Sequence, residues 1–204
     1  MSWTSKTAVA VCSALAFAAV LTAPIAQAAE GLGDYDGDGL SDFMVAHTNR
    51  VSGSTALYVQ LASGAQAFYS FGAAADAVLT GRFFPEKKSY PGVVLAESGR
   101  PLQWYIKTPG PADAHLQFGS PGDHLPNQGD VDCDGITDIT VVRNTGNTAY
   151  PGFKIWYIAL SASATVQEIT FGNSRDGAAI ADVDGDSCDE LIALREGFHW
   201  FSRK

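Results

Sequence analysis

The 204-residue sequence is 46% apolar and 17% charged, with a formal net charge of −9. Thirteen of its 22 acidic side chains fall in three short segments, 34–42, 130–138 and 182–190. The remainder is near neutral, which excludes both a broad acidic face and the basic stripe that a nucleic-acid partner requires.

At the start of the chain, Lys6, the apolar run 8–23 and the small-x-small triplet Ala26-Gln27-Ala28 predict a signal peptide over 1–28. The mature chain, 29–204, then reads as one exported domain, secreted or periplasmic, with no other stretch apolar enough to span a membrane. Next comes GDYDGDGLSD, 33–42, in which four aspartates are threaded by three glycines and followed by the apolar run FMVA. The same arrangement returns as GDVDCDGITD before ITVV and as ADVDGDSCDE before LIAL.

Two further markers keep a fixed order with these segments. Phe-Gly occurs at Phe71-Gly72, Phe118-Gly119 and Phe171-Gly172, and an aromatic cluster recurs as LYV (57–59), WYI (104–106), WYI (156–158) and HWF (199–201). Nine or ten residues after each Phe-Gly glycine comes Gly81, Gly129 or Ala181. The chain therefore contains four units, starting near 33, 81, 129 and 181, each about 40–50 residues long, a period typical of propellers and other arrays. Short runs rich in Val, Ile, Tyr, Phe and Trp, broken by Gly, Pro, Ser and Asn, predict strands, and no helical period is present. The expected fold is all-β, a small β-propeller of about four blades. The four units either close as a ring or form an incomplete ring completed by another chain, which would make the protein a homo-oligomer.

Counting the first aspartate of each segment as position 1, oxygen donors fall at positions 1, 3, 5 and 9, and glycine at 4 or 6 permits a tight turn. With a backbone carbonyl at position 7 and water, such a loop offers six to seven hard oxygens, which suits Ca²⁺ better than Mg²⁺ or Zn²⁺. The expected ligand sets are Asp34, Asp36, Asp38, the Leu40 carbonyl and Asp42; Asp130, Asp132, Asp134, the Ile136 carbonyl and Asp138; and Asp182, Asp184, Asp186, the Cys188 carbonyl and Glu190. Asp189 sits off this template, and Ser187 replaces the glycine at position 6. A single loop of this kind could be an Asp-Gly turn needing no metal, but three in the same spacing ahead of equivalent strands favour the ion. Position 12 holds Val45, Val141 and Ala193, not the closing glutamate of an EF-hand. Catalytic carboxylates are disfavoured, because nothing pairs them with a nucleophile or a histidine.

The D-x-D-x-D-G-x-x-D loop feeding an apolar strand, with Phe-Gly closing the unit, resembles FG-GAP/VCBS-type repeats, the blades of integrin-α-like β-propellers. The resemblance covers essentially all of 33–204 and implies calcium-binding loops between the first and second strands of each blade. The second unit departs from it, with Arg82, Phe84, Glu86 and Lys88 where ligands would stand, so no metal is expected there. The family commonly has seven blades rather than four.

Cys133 and Cys188, the cysteines left after leader removal, fall in the second and third acidic loops. Export permits a disulfide between them, and two small buried thiols are the alternative. His47, His115, His124 and His199 lack metal spacing, and the recurring aromatics Trp104, Tyr105, Trp156, Tyr157 and Trp200 read as core before they read as a sugar platform. The functional expectation is a non-catalytic calcium-binding module for a protein or glycan. A calcium-dependent lectin and a polysaccharide-acting enzyme are the alternatives.

Overall fold

A computed structural model describes residues 33–146, 151–197 and 199–204; the predicted signal peptide, 1–28, lies outside them. Among the described residues there are thirteen strands and no helix. Every strand pairing is antiparallel, as short runs joined by tight turns dictate. No helix among the described residues is long and apolar enough to cross a membrane.

Among the described residues the strands form four separate sheets, each built mainly from one sequence unit, and no closed barrel. Sheet 1 joins β1 (Phe43–Asn49), β2 (Ser54–Gln60) and β3 (Gln66–Phe71). Sheet 2 runs β4 (Ala77–Gly81), β5 (Tyr90–Leu95), β6 (Gln103–Ile106) and β7 (Ala114–Gln117). Sheet 3 holds β8 (Ile139–Gly146), β9 (Pro151–Ala159) and β10 (Val166–Asn173), and two isolated bridges, His124–Val142 and Gly129–Asp138, run a fourth segment along β8. Sheet 4 holds β11 (Gly177–Ala181), β12 (Glu190–Arg195) and β13 (His199–Arg203). Each acidic segment precedes the strand its apolar run predicts: β1, β8 or β12.

The core lies between sheets rather than within any one of them. Leu57 and Phe71 of sheet 1 meet Val93 of sheet 2, Val94 and Trp104 of sheet 2 meet Val141 of sheet 3, and Val142 and Trp156 of sheet 3 meet Ile180 and Leu191 of sheet 4. Adjacent residues such as Val93 and Val94 thus face opposite neighbours, which is why the strand after each loop is continuously apolar.

The two repeated sequence markers meet here. Trp104 Nε1 donates to the Phe118 carbonyl and Trp156 Nε1 to the Phe171 carbonyl, both at 2.8 Å. Each buried indole N–H is thereby satisfied by the Phe-Gly corner of its own unit, and these tryptophans are core residues with no face open to a sugar. Gly119 and Gly172 turn those corners at φ of 86° and 87°.

Candidate metal centres

The three acidic loops share one backbone conformation. Positions 4 and 6 are left-handed in all of them: Gly37 and Gly39, Cys133 and Gly135, Gly185 and Ser187, with φ between 65° and 87°. Glycine adopts this region freely, whereas Cys133 and Ser187 hold it at a cost of order 1 kcal/mol each. The curl aims backbone N–H groups at the first carboxylate. Asp34 accepts from Gly37 and Gly39 at 2.7 and 2.9 Å, Asp130 from Asp134 and Gly135 at 3.1 and 2.7 Å, and Asp182 from Gly185 and Ser187 at 2.6 and 2.8 Å.

Position 9 closes each loop onto position 2. Asp42 accepts from Tyr35 N, Asp138 from Val131 N and Glu190 from Val183 N, at 2.7–3.0 Å. The outcome is three clusters in which one oxygen per residue lies within 4.8 Å of the others: Asp34, Asp36 and Asp42; Asp130, Asp132 and Asp138; Asp182, Asp184 and Glu190.

The position-5 carboxylates are not in these groups. Asp38, Asp134 and Asp186 instead accept from the N–H two residues on, that of Leu40, Ile136 and Cys188 respectively, at 2.7–3.0 Å. This local Asx turn is the ordinary use of an aspartate in a loop. Asp134 also accepts from Ser161 Oγ at 2.9 Å.

Two oxygens test whether a cation fits. Asp132 Oδ1 in the second cluster and Glu190 Oε1 in the third are buried and accept no hydrogen bond. Burying a carboxylate oxygen without a partner is costly, and a hard cation would supply one. Burial raises the Asp130 and Asp138 carboxyls above their ordinary value, whereas the Ser187 and Gly185 N–H groups hold Asp182 below its own. All the converging donors are carboxylate oxygens, with no histidine or cysteine among them, a set suited to Ca²⁺, Mg²⁺ or Mn²⁺ rather than Zn²⁺.

A protein cation already lies at the third cluster. Lys204 Nζ is 2.8 Å from Asp184 Oδ2 and 3.2 Å from Glu190 Oε1, and it also pairs with Asp186. Lys204 thus already supplies Glu190 Oε1 with a cationic partner, so the fit test rests on Asp132 Oδ1, which has none among the described residues.

The structure joins Cys133 and Cys188 in a disulfide that links the second and third loops. Beside it, Asp189 N donates to the Asp130 carbonyl at 2.8 Å, and Asp130 N donates to Asp189 Oδ2 at 2.7 Å. The residue that sits off the ligand template is therefore the link between neighbouring loops.

The same position, 8, does this work throughout. Thr137 N donates to the Arg82 carbonyl and Thr137 Oγ1 accepts from Arg82 N, both at 2.8 Å. Ser89 N donates to the Asp34 carbonyl at 2.5 Å, and Ser89 Oγ accepts from Gly33 N at 3.0 Å. Sequence reasoning misses this relay because Ser, Thr and Asp share only a short side-chain oxygen.

A second repeated tie lies four residues after each Phe-Gly glycine. Asp123 takes a two-pronged pair from Arg143 at 2.8 and 2.9 Å, and Asp176 takes one from Arg195 at 3.0 Å on both prongs. Asp76 accepts from Ala96 N at 2.9 Å and from Arg50 at 3.1 Å. The Arg195 hydrogen bonds hold the Asp176 carboxyl below its ordinary value of 3.8, and the Ala96 N–H does the same for Asp76. The spacing from Phe-Gly is the signal that could have revealed these aspartates.

No histidine joins a carboxylate cluster among the described residues. His115 stacks on Tyr105 at 4.6 Å and bonds Gln103, which accounts for it structurally. Comparison with protein-family models, with curated proteins and with solved structures found no match.

Proposed function

We propose that this chain is an exported, calcium-stabilised repeat module with propeller-type blades that binds a protein or glycan and is not itself a catalyst. The observation that carries the reading is the threefold recurrence of one carboxylate cluster, at identical loop positions, ahead of equivalent strands. Calcium is the favoured ion because its coordination is forgiving and oxygen-based, and backbone carbonyls and water commonly complete a set of carboxylates around it. The FG-GAP/VCBS resemblance supports the same choice and supplies the blade-like arrangement. Held by the ion, each loop would fix where its sheet begins and how it meets its neighbour, leaving other loops to make the binding surface.

Thermal unfolding in EDTA and in excess calcium tests the metal. A bound ion adds about 2.7 kcal/mol per site at a hundredfold excess over Kd, so the melting temperature should rise with calcium. Asp138→Asn should remove one site's share of that rise, and an unchanged melting temperature would sink the calcium reading. Probing plant, fungal and bacterial glycans in calcium tests the glycan arm. Polysaccharide turnover abolished by one carboxylate change would replace binding with catalysis.

A further inference from the structure

The four units meet through one interface used three times. Its polar part is the position-8 relay: Ser89 on Gly33 and Asp34, Thr137 on Arg82, and Asp189 on Asp130. Its apolar part pairs two faces. The trailing face of each sheet presents a cross-strand row, Val94–Trp104 in sheet 2 and Val142–Trp156 in sheet 3, at most 1% exposed. The leading face of the next sheet presents Val93 or Val141, both fully covered.

Sheets 1 and 4 each hold one unused half of this interface. In sheet 4 the matching row is Leu194–Trp200, and it is 47% and 57% exposed. In sheet 1 the residue matching Val93 and Val141 is Val45, 60% exposed, in a row with exposed Tyr58 and Phe68. The polar halves match as well. Ser41 is the position-8 residue of the first loop, Asp182 is position 1 of the last, and neither the Ser41 N–H nor the Asp182 carbonyl has its counterpart among the described residues. Ala181 stands where the earlier units have glycine. A methyl would collide with Phe83 and Thr137 at Gly81 and with Ile180 and Asp189 at Gly129, and Gly33 holds a φ of 100° that disfavours any side chain, whereas Ala181 has no positive φ.

We infer that a second copy of this chain completes the interface: the trailing face of sheet 4 in one copy docks on the leading face of sheet 1 in the other, with Ser41 against Asp182. The partner is another copy because the exposed halves complement each other in the register already used three times within the chain. Two copies, each using both faces once, form a closed pair with two equivalent contacts and no face left over. The inference rests on the repeated contacts and stands whether or not the loops hold calcium.

Sedimentation equilibrium of the purified protein, run in calcium and in EDTA, tests it. We expect twice the mass of one chain in both. Val45→Glu and Trp200→Glu, each at an exposed site that the single chain's fold does not use, should each weaken the pair by about tenfold or more, because each places a charge in both contacts. Mixing the two variants should restore much of the paired mass, because one of the two contacts then carries no substitution. A one-chain mass across the concentration series, a pair that neither variant weakens, or a mixture no more paired than its components would each overturn the inference. Closure of sheet 4 onto sheet 1 within one chain, or cover by residues before 33, would appear as the one-chain mass.

Discussion

The loops of the second and third units stand at the same place ahead of their strands with opposite chemistry and different backbones, left-handed at Cys133 and Gly135 in the third but not at Pro85 and Lys87 in the second. In the third unit, positions 1, 3 and 9 are Asp130, Asp132 and Asp138, three carboxylates close enough together to hold a cation. In the second, the same positions are Arg82, Phe84 and Tyr90. The Phe84 ring meets buried Tyr90 edge-on at 5.0 Å, and Lys88 lies over the Tyr90 ring at 5.3 Å. An aromatic contact and a cation–π contact hold the corner that carboxylates and an ion would hold elsewhere. Both loops still make the position-8 relay to the unit before them. The relay is therefore common to both loops, and a carboxylate cluster able to hold a cation stands in one where an aromatic corner stands in the other.

Substitutions can separate the two kinds of brace. The largest effect should come from the disulfide, which closes a 55-residue separation and ties the second and third acidic loops. Its removal by Cys133→Ser with Cys188→Ser should cost about 4 kcal/mol in chemical denaturation. Tyr90→Ala should cost about 3 kcal/mol, equally in calcium and in EDTA, because the second unit's loop, 82–90, contains no ligand cluster. A calcium-dependent penalty at Tyr90 would erase the distinction between the loops.

Acid should act next. Asp176 has a folded pKa below 3.8 through its Arg195 pair, so its contribution is fully present above that value and is lost as pH falls through the lower, folded one. Asp176→Asn should therefore cost about 2 kcal/mol at neutral pH and progressively less below pH 3.8, read from denaturant midpoints across the acid range. The smallest effect should be at Lys204, whose ammonium competes for the third cluster. Lys204→Ala should tighten calcium binding there by roughly two- to fivefold, as expected for an exposed ion pair, and leave the second cluster unchanged in calorimetric titration.

Much of this organisation is legible in the chain itself. The apolar runs after each acidic segment mark β1, β8 and β12 because strand period and loop chemistry change at the same residue. The left-handed positions were signalled by glycine, although Cys133 and Ser187 show that the conformation can outlast the residue that favours it. The inter-unit contacts were not legible. Ser89, Thr137 and Asp189 look like unrelated loop residues until backbone pairing brings each to the preceding unit. Trp200 shows the converse: its pattern matches Trp104 and Trp156, but periodicity reports the strand and not the neighbour that covers it. Lys204 reaches the third cluster from the end of β13, a proximity that only tertiary structure creates.

The central claim is that three loops hold calcium and the second unit's loop does not. Native mass spectrometry of the calcium-equilibrated protein counts the ions directly. Three per chain, falling to two in Asp138→Asn and staying at three in Tyr90→Phe, is the result this account predicts. No specifically bound calcium, or a count that Asp138→Asn leaves unchanged, would contradict it.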